Sequence, residues 1–208
     1  YYDLFLDGAA EILSGRLGKL PSPVLLDAGC GEGSYTGRVF HALSAVTAPC
    51  AAGVDISKFA VRAAAKRFPE IEFAVASIFD LPFADGAADG ILAVFSPIVP
   101  AEFRRVLRPG GVLLIAVPGP RHLFGLKEQL YEKPYENERK DTEYPGLRFE
   151  ERIPIRSEIV VPGKDQIQNL FAMTPYFWKT GVEGAARLRK LERLSTEIEF
   201  DFLCYRAV

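Results

Sequence analysis

The stretch Val24–Thr36, VLLDAGCGEGSYT, decides the fold. An apolar run ending in Asp-x-Gly-x-Gly-x-Gly predicts a buried strand feeding a glycine loop, because glycine lacks the Cβ that bars positive φ and close approach of a ligand. The spacing then selects among nucleotide cofactors. A dinucleotide fingerprint, Gly-x-Gly-x-x-Gly, seats a pyrophosphate on the N-terminus of the next helix. Here Gly29, Gly31 and Gly33 alternate, with Asp27 before them and Glu32 among them. Carboxylates at those places repel a pyrophosphate and suit a ligand carrying an amino group and a sulfonium. That points to S-adenosylmethionine and away from a nicotinamide dehydrogenase.

Upstream, Leu6, Ala9, Ala10, Leu13 and Leu17 recur at helical spacing and predict a helix over Tyr2–Leu17, stopped by Pro21 and Pro23. Downstream, helices over Tyr35–Leu43, Phe59–Phe68 and Ala101–Leu107 alternate with strands over Ala51–Ile56, Ile71–Ala76, Asp89–Phe95 and Val112–Val117. The run Arg108–Gly111, RPGG, reads as a tight turn before the last of these. Alternating strand and helix implies a parallel sheet with right-handed crossovers. Lys127–Gly146 is polar and aromatic without an apolar period, so residues 124–150 are expected to be a mobile, substrate-side insertion. A strand over Arg156–Val161, a helix over Asp165–Met173, a basic helix over Gly184–Leu194 and an alternating strand over Glu197–Tyr205 complete the chain. The expected fold is α/β and Rossmann-like: one domain over 1–208, with a mostly parallel seven-stranded sheet, an antiparallel C-terminal edge strand and helices on both faces.

Composition narrows the partners. A chain of 208 residues, 49% hydrophobic, can bury one sizeable core. A formal charge of −2 carries no global nucleic-acid signal, so an RNA contact must come from a local patch. Arg187, Arg189, Lys190 and Arg193, with Lys179 nearby, form the candidate patch, diluted by Glu183 and Glu192. Cys30, Cys50 and Cys204 are scattered, with no Cys-x-x-Cys pair and two histidines, which supports neither a metal site nor a disulfide framework. No apolar run approaches the roughly 20 residues that span a bilayer, and the N-terminus lacks a signal-peptide pattern. A cytoplasmic protein with reduced thiols is expected. The chain also starts without Met inside a helical pattern, so upstream sequence is expected.

In open α/β sheets the ligand sits outside the carboxyl ends of the strands, where strand order reverses. Those ends carry Asp27 with Gly29–Gly33, Asp55, Ser77, Phe95–Pro97 and Pro118–His122, which are expected to line one crevice. Asp55 stands where a carboxylate accepts from both ribose hydroxyls, and Ser57 suits the N-cap of the next helix. Ser77 and Ile78 are placed beside the adenine. Phe95 lies on the substrate side and can stack on an extruded base; Trp178 is read first as a core residue and second as such a platform.

The glycine loop, Asp55, the LPF turn with Asp85, and RPGG before VLLIAV together resemble class I S-adenosylmethionine-dependent methyltransferases. A narrower likeness lies in GCGEGSYT, VASIFDLPF, PGPRHLFGLK (Pro118–Lys127) and MTPYFW (Met173–Trp178). These resemble the 23S rRNA (guanine-N1)-methyltransferase family, whose Gram-positive branch includes macrolide-resistance enzymes. The resemblance implies cofactor contacts from Gly31, Glu32 and His122, and from Tyr2 as a cover over the cofactor. It also implies a small cysteine-rich zinc module, expected upstream of this sequence. The expected partners are ribosomal RNA, reached through the crevice and that module, and a second copy of the chain in a homodimer; a membrane is not among them. Guanine N1 carries a proton that must leave as the methyl arrives. His122 has the titration range for that task, and Arg121 has the charge to steady an O6 oxyanion or a phosphate. The alternatives are a small-molecule methyltransferase and a non-catalytic S-adenosylmethionine-binding module.

Overall fold

The computed structural model describes residues 2–139 and 143–208, with the side chain of Tyr2 left out. The strands β1 (Val24–Ala28), β2 (Cys50–Asp55), β3 (Glu72–Val75), β4 (Ala88–Val94), β5 (Leu107–Pro118), β6 (Leu147–Pro162) and β7 (Arg193–Ala207) form one sheet in the order β3-β2-β1-β4-β5-β7-β6. The first five pair in parallel. The last two run antiparallel to each other: Val208 N donates to Gly146 O at 3.1 Å, Arg152 pairs with Asp201, and Arg156 pairs with Glu199, so numbers rise on one strand as they fall on the other. The expected Rossmann-like, mostly parallel seven-stranded sheet with an antiparallel edge is therefore the fold, but the C-terminal strand is not itself the edge: β7 lies between β5 and β6, and β6 is outermost.

The chain separates into two compact units, one drawn from Tyr1–Val117, Asp141–Ile153 and Asp201–Val208, the other from Pro118–Lys140 and Pro154–Phe200. The first contains the helices α1 (Tyr2–Leu17), α2 (Ser34–Ser44), α3 (Lys58–Arg67) and α4 (Pro100–Val106). Successive residues of β1 and β4 are buried, as strands covered on both faces require. Leu26, Ile91, Phe103, Val106, Leu113, Ile115, Leu203 and Tyr205 belong to one apolar cluster. Gly90 is small because Leu17 of α1 lies on it: a Cβ there would stand 2.7 Å from a Leu17 methyl.

Two sequence motifs prove to be local braces. Arg105 donates to Leu81 O (3.0 Å) and Phe83 O (2.7 Å) and pairs with Asp85, while Glu102 accepts from Leu81 N at 2.7 Å, so α4 clasps the LPF turn from both sides. RPGG is not the expected tight turn. It lies within β5, where pairing with β4 shifts register between Ala88 and Gly90, Gly110 takes φ 78°, and Arg108 pairs with Asp89. An extra stretch absorbed as a bulge needs the same residue types as a turn, which is why the sequence does not separate them.

The second unit contains α5 (Phe124–Leu130), α6 (Lys164–Ala172), a 3-10 turn (Pro175–Trp178), α7 (Val182–Leu188) and the parts of β6 and β7 that fall in its ranges. The basic helix expected to reach Leu194 stops at Leu188, and Arg193 opens β7. Arg187 donates to Gln129 O and Leu130 O, capping the C-terminus of α5, so it belongs to the packing of two helices. Trp178 is not a core residue: it is 84% exposed.

Candidate functional site

Strand order reverses between β1 and β4, both of which have a neighbour on each side. The glycine loop leaves the carboxyl end of β1 at this reversal, and Phe95–Ser96 leaves the end of β4. Gly29, Gly31 and Gly33 all have positive φ, at 92°, 53° and 75°. They serve different ends. A Cβ on Gly29 would stand 2.6 Å from Ser96 Cβ, and one on Gly33 would stand 2.9 Å from the Phe73 ring, so these two are small because the loop is packed. A Cβ on Gly31 would meet no atom within 4 Å. Gly31 thus presents bare backbone to open space, as a loop that receives a ligand does. Gly33 is also the N-cap of α2 and has no side chain to cap it.

The loop is held by β2. Gly29 N and Cys30 N donate to Val54 O at 2.8 and 2.9 Å, and Gly31 N donates to Asp55 Oδ2 at 2.9 Å. Asp55 Oδ1 accepts from Ser57 N at 2.8 Å, and Ser57 caps α3 by accepting from Ala60 N. A carboxylate has about four acceptor positions, so Asp55 can brace the loop and still receive ribose hydroxyls.

Asp27 is 1% exposed. Thr36 Oγ1 donates to its Oδ2 at 2.6 Å, while Oδ1 has no partner among the described residues. Burial, with a lesser push from the Asp55 charge, raises its pKa to about 7. Ser96 Oγ, beside Gly29, is likewise buried without a partner. Two orphaned acceptors around a glycine loop fit a ligand that brings donors, and an ammonium of S-adenosylmethionine is one. Cys30, in the same loop, is pushed up to about 12 by burial and stays a thiol.

Around this loop the structure sorts the other expected residues. Glu32 is exposed. Ser77 is exposed and its hydroxyl accepts from Phe79 N at 3.2 Å, whereas Ile78 packs into the apolar cluster. The exposed apolar side chains are instead Ile56, directly after Asp55, and Phe79. Phe79 is not legible in the sequence because the turn closed by Asp80 N to Ser77 O, rather than strand alternation, decides which side chain faces outward. Phe95 is half-exposed and holds φ 53°, a conformation that L side chains rarely adopt and that clusters at functional sites. The cover expected from the Tyr2 side chain lies outside the described residues.

Arg121 and His122 belong to the second unit. Arg121 is held by carboxylates: Nε and Nη2 reach Glu197 at 3.0 and 2.5 Å, Nη1 reaches Glu136 at 3.3 Å, and its guanidinium lies over the Phe124 ring. His122 packs its ring on Phe200 at 4.3 Å between centroids, and Nδ1 accepts from Glu199 N in a long 3.4 Å bond. Burial, aided by the Lys127 charge, lowers its pKa to about 4. It is therefore a neutral imidazole at neutral pH, with the proton on Nε2. It offers a donor rather than a lone pair. Among the described residues, no group of three or more His, Cys, Asp or Glu side chains could hold a metal ion, and no helix is long and apolar enough to cross a membrane.

Comparison with known proteins agrees with this loop. Residues 25–111 match the model of a methyltransferase domain family. The chain is 30% identical over 208 residues to YxjB of Bacillus subtilis (strain 168), by name a candidate 23S rRNA (guanine-N1)-methyltransferase, covering 98% of this chain and 73% of that one. It is 42% identical over 107 residues to the 23S rRNA (guanine(748)-N1)-methyltransferase of Streptomyces fradiae, covering 51% of this chain and 37% of the relative. Among solved structures, YcgJ of Bacillus subtilis superposes with a TM-score of 0.63 at 14% identity, covering 97% of this chain and 98% of that one, a likeness of fold alone. A relative matched along nearly the whole chain, a family model over the glycine loop and the loop's own geometry agree: the chain belongs to the class I S-adenosylmethionine-dependent methyltransferases, in the 23S rRNA (guanine-N1)-methyltransferase family.

Proposed function

We propose that the protein transfers the methyl group of S-adenosylmethionine to guanine N1 in a hairpin of 23S ribosomal RNA. The observation that carries this reading is the match to YxjB, which runs through both units rather than through the cofactor-binding half alone. The loop Gly29–Gly33 receives the cofactor, with Asp27 accepting from its ammonium, Asp55 from its ribose, and Ser77, Ile56 and Phe79 beside its adenine. Glu32 and Tyr2 complete the cofactor contacts. Phe95, presented by its positive φ, contacts the base.

Methyl transfer needs the N1 lone pair in line with the sulfonium methyl, so positioning is the protein's main contribution. The N1–C bond forms as the S–C bond breaks, the sulfur keeping the bonding pair as S-adenosylhomocysteine, and the N1 proton passes to solvent. His122 serves as an Nε2–H donor, since its Nδ1 is already an acceptor and burial keeps the ring neutral. Arg121 is the cation for the developing O6 charge, provided that it exchanges a glutamate for it.

Incubating the protein with methyl-labelled cofactor and 23S rRNA tests the reading. Label is expected in a single guanosine of the rRNA as 1-methylguanosine. Label found solely in small metabolites would replace it with a small-molecule methyltransferase, and binding without any transfer would leave a cofactor-binding module.

A further inference from the structure

The segment Met173–Arg193 presents an aromatic surface that the reaction above does not use. Met173, Trp178 and Val182 are 85%, 84% and 86% exposed, and Phe177 is 45% exposed. This exposure is built rather than frayed. Phe177 N donates to Thr174 O, Lys179 N and Thr180 N both donate to Tyr176 O, and the Thr174 and Thr180 hydroxyls donate to Phe171 O and Tyr176 O. Tyr176 meets Tyr131, at 6.4 Å between ring centroids. Phe177 joins the buried Phe171 ring, at 5.3 Å, to the Trp178 indole, at 5.1 Å. The turn thus anchors one aromatic residue and holds another outside.

The charge around it is opposite to that of the chain. Met173–Arg193 carries five Lys or Arg and two Glu, in a protein whose net charge is −2. Arg187 is spent on α5 and Glu192 pairs with Lys164, while Lys179, Arg189, Lys190 and Arg193 are exposed. An exposed indole in a segment rich in exposed cations matches a polyanion whose repeating unit has a flat π-face. Single-stranded nucleic acid is that polymer: bases stack on aromatics whatever their identity, and phosphates meet the cations. A duplex hides its base faces within the stack, so unpaired nucleotides of a loop or bulge are the part that can be bound. We propose that Met173–Arg193 is a binding surface for single-stranded RNA, with a base stacked on Trp178. This rests on the ribosomal RNA reading.

Trp178 is the one tryptophan of the chain, so its emission reports the contact directly. Titrating the protein with single-stranded oligoadenylate is expected to quench that emission, and less so as salt is raised. Trp178→Ala should weaken binding of a fluorescein-labelled oligoadenylate about tenfold, and Trp178→Phe should keep most of it. Both variants should melt as the wild type does, because the side chain is outside the core. An unmoved emission, an equal response to heparin, a response to anionic phospholipid vesicles but not to RNA, or a change with protein concentration alone would each overturn the proposal. Methyl transfer to rRNA with the emission unmoved by that RNA overturns it while leaving the guanine-N1 reading in place. Quenching without methyl transfer does the reverse.

Discussion

At the scale of the residue, Gly31 and Asp27 carry the cofactor site in different ways. Gly31→Val puts a branched side chain into the open space beside the loop, at a backbone φ of 53°. The strain costs about 1–2 kcal/mol, so the variant should fold with a modestly lower melting temperature yet show no S-adenosylmethionine binding by calorimetry. Wild-type affinity would remove the loop from the site. The raised pKa of Asp27, about 7 against an ordinary 3.8, means that the native state holds more protons than the unfolded chain between those values. Its contribution to stability therefore falls as pH rises through that window. An ammonium ligand favours the charged carboxylate, so cofactor affinity should climb as pH passes upward through about 7. Asp27→Asn should flatten that dependence and weaken binding about tenfold, as loss of a charge-assisted hydrogen bond does. A wild-type titration curve indifferent to pH would show that Asp27 does not meet the ammonium.

At the scale of the element, legibility followed burial pattern. The continuous apolar runs of β1, β4 and β5 and the periodic face of α1 were readable because local sequence and final environment demand the same residues. Lys127 is the counterexample. In a polar run it reads as a solvated side chain, yet it is fully buried, with Nζ donating to Tyr135 O at 2.9 Å and Asn137 Oδ1 at 2.7 Å. Asn137 in turn donates to Gly119 O and Pro120 O, so a segment expected to be mobile is tied down at 135–137. Lys127→Met keeps the length of the stem but removes the donor. Amide exchange at 131–137 should then speed up while that of β1 and β4 stays slow; unchanged protection across the segment would mean that the lysine does not hold it.

At the scale of the whole molecule, the outer strands depend on contacts distant in sequence. Asp201 is 1% exposed and pairs with Arg152, forty-nine positions away. Removing one partner of a buried pair leaves an uncompensated charge, which costs about 3–5 kcal/mol. Arg152→Met should lower the melting temperature by several degrees, and adding Asp201→Asn should recover much of it. An additive double mutant would show that the two side chains do not act as a pair.

The sequence by itself determined the cofactor and the mostly parallel α/β character of the sheet. Both follow from short-range rules, in that glycines permit positive φ, carboxylates refuse a pyrophosphate, and alternating strands and helices wind one way. Tertiary structure alone decided which side chains face a ligand. It turned Ile78 inward and Phe79 outward, exposed Trp178 and buried Lys127, and closed the Arg121 guanidinium against glutamates far along the chain. Those outcomes depend on which distant atoms arrive beside a residue, and no local pattern encodes that.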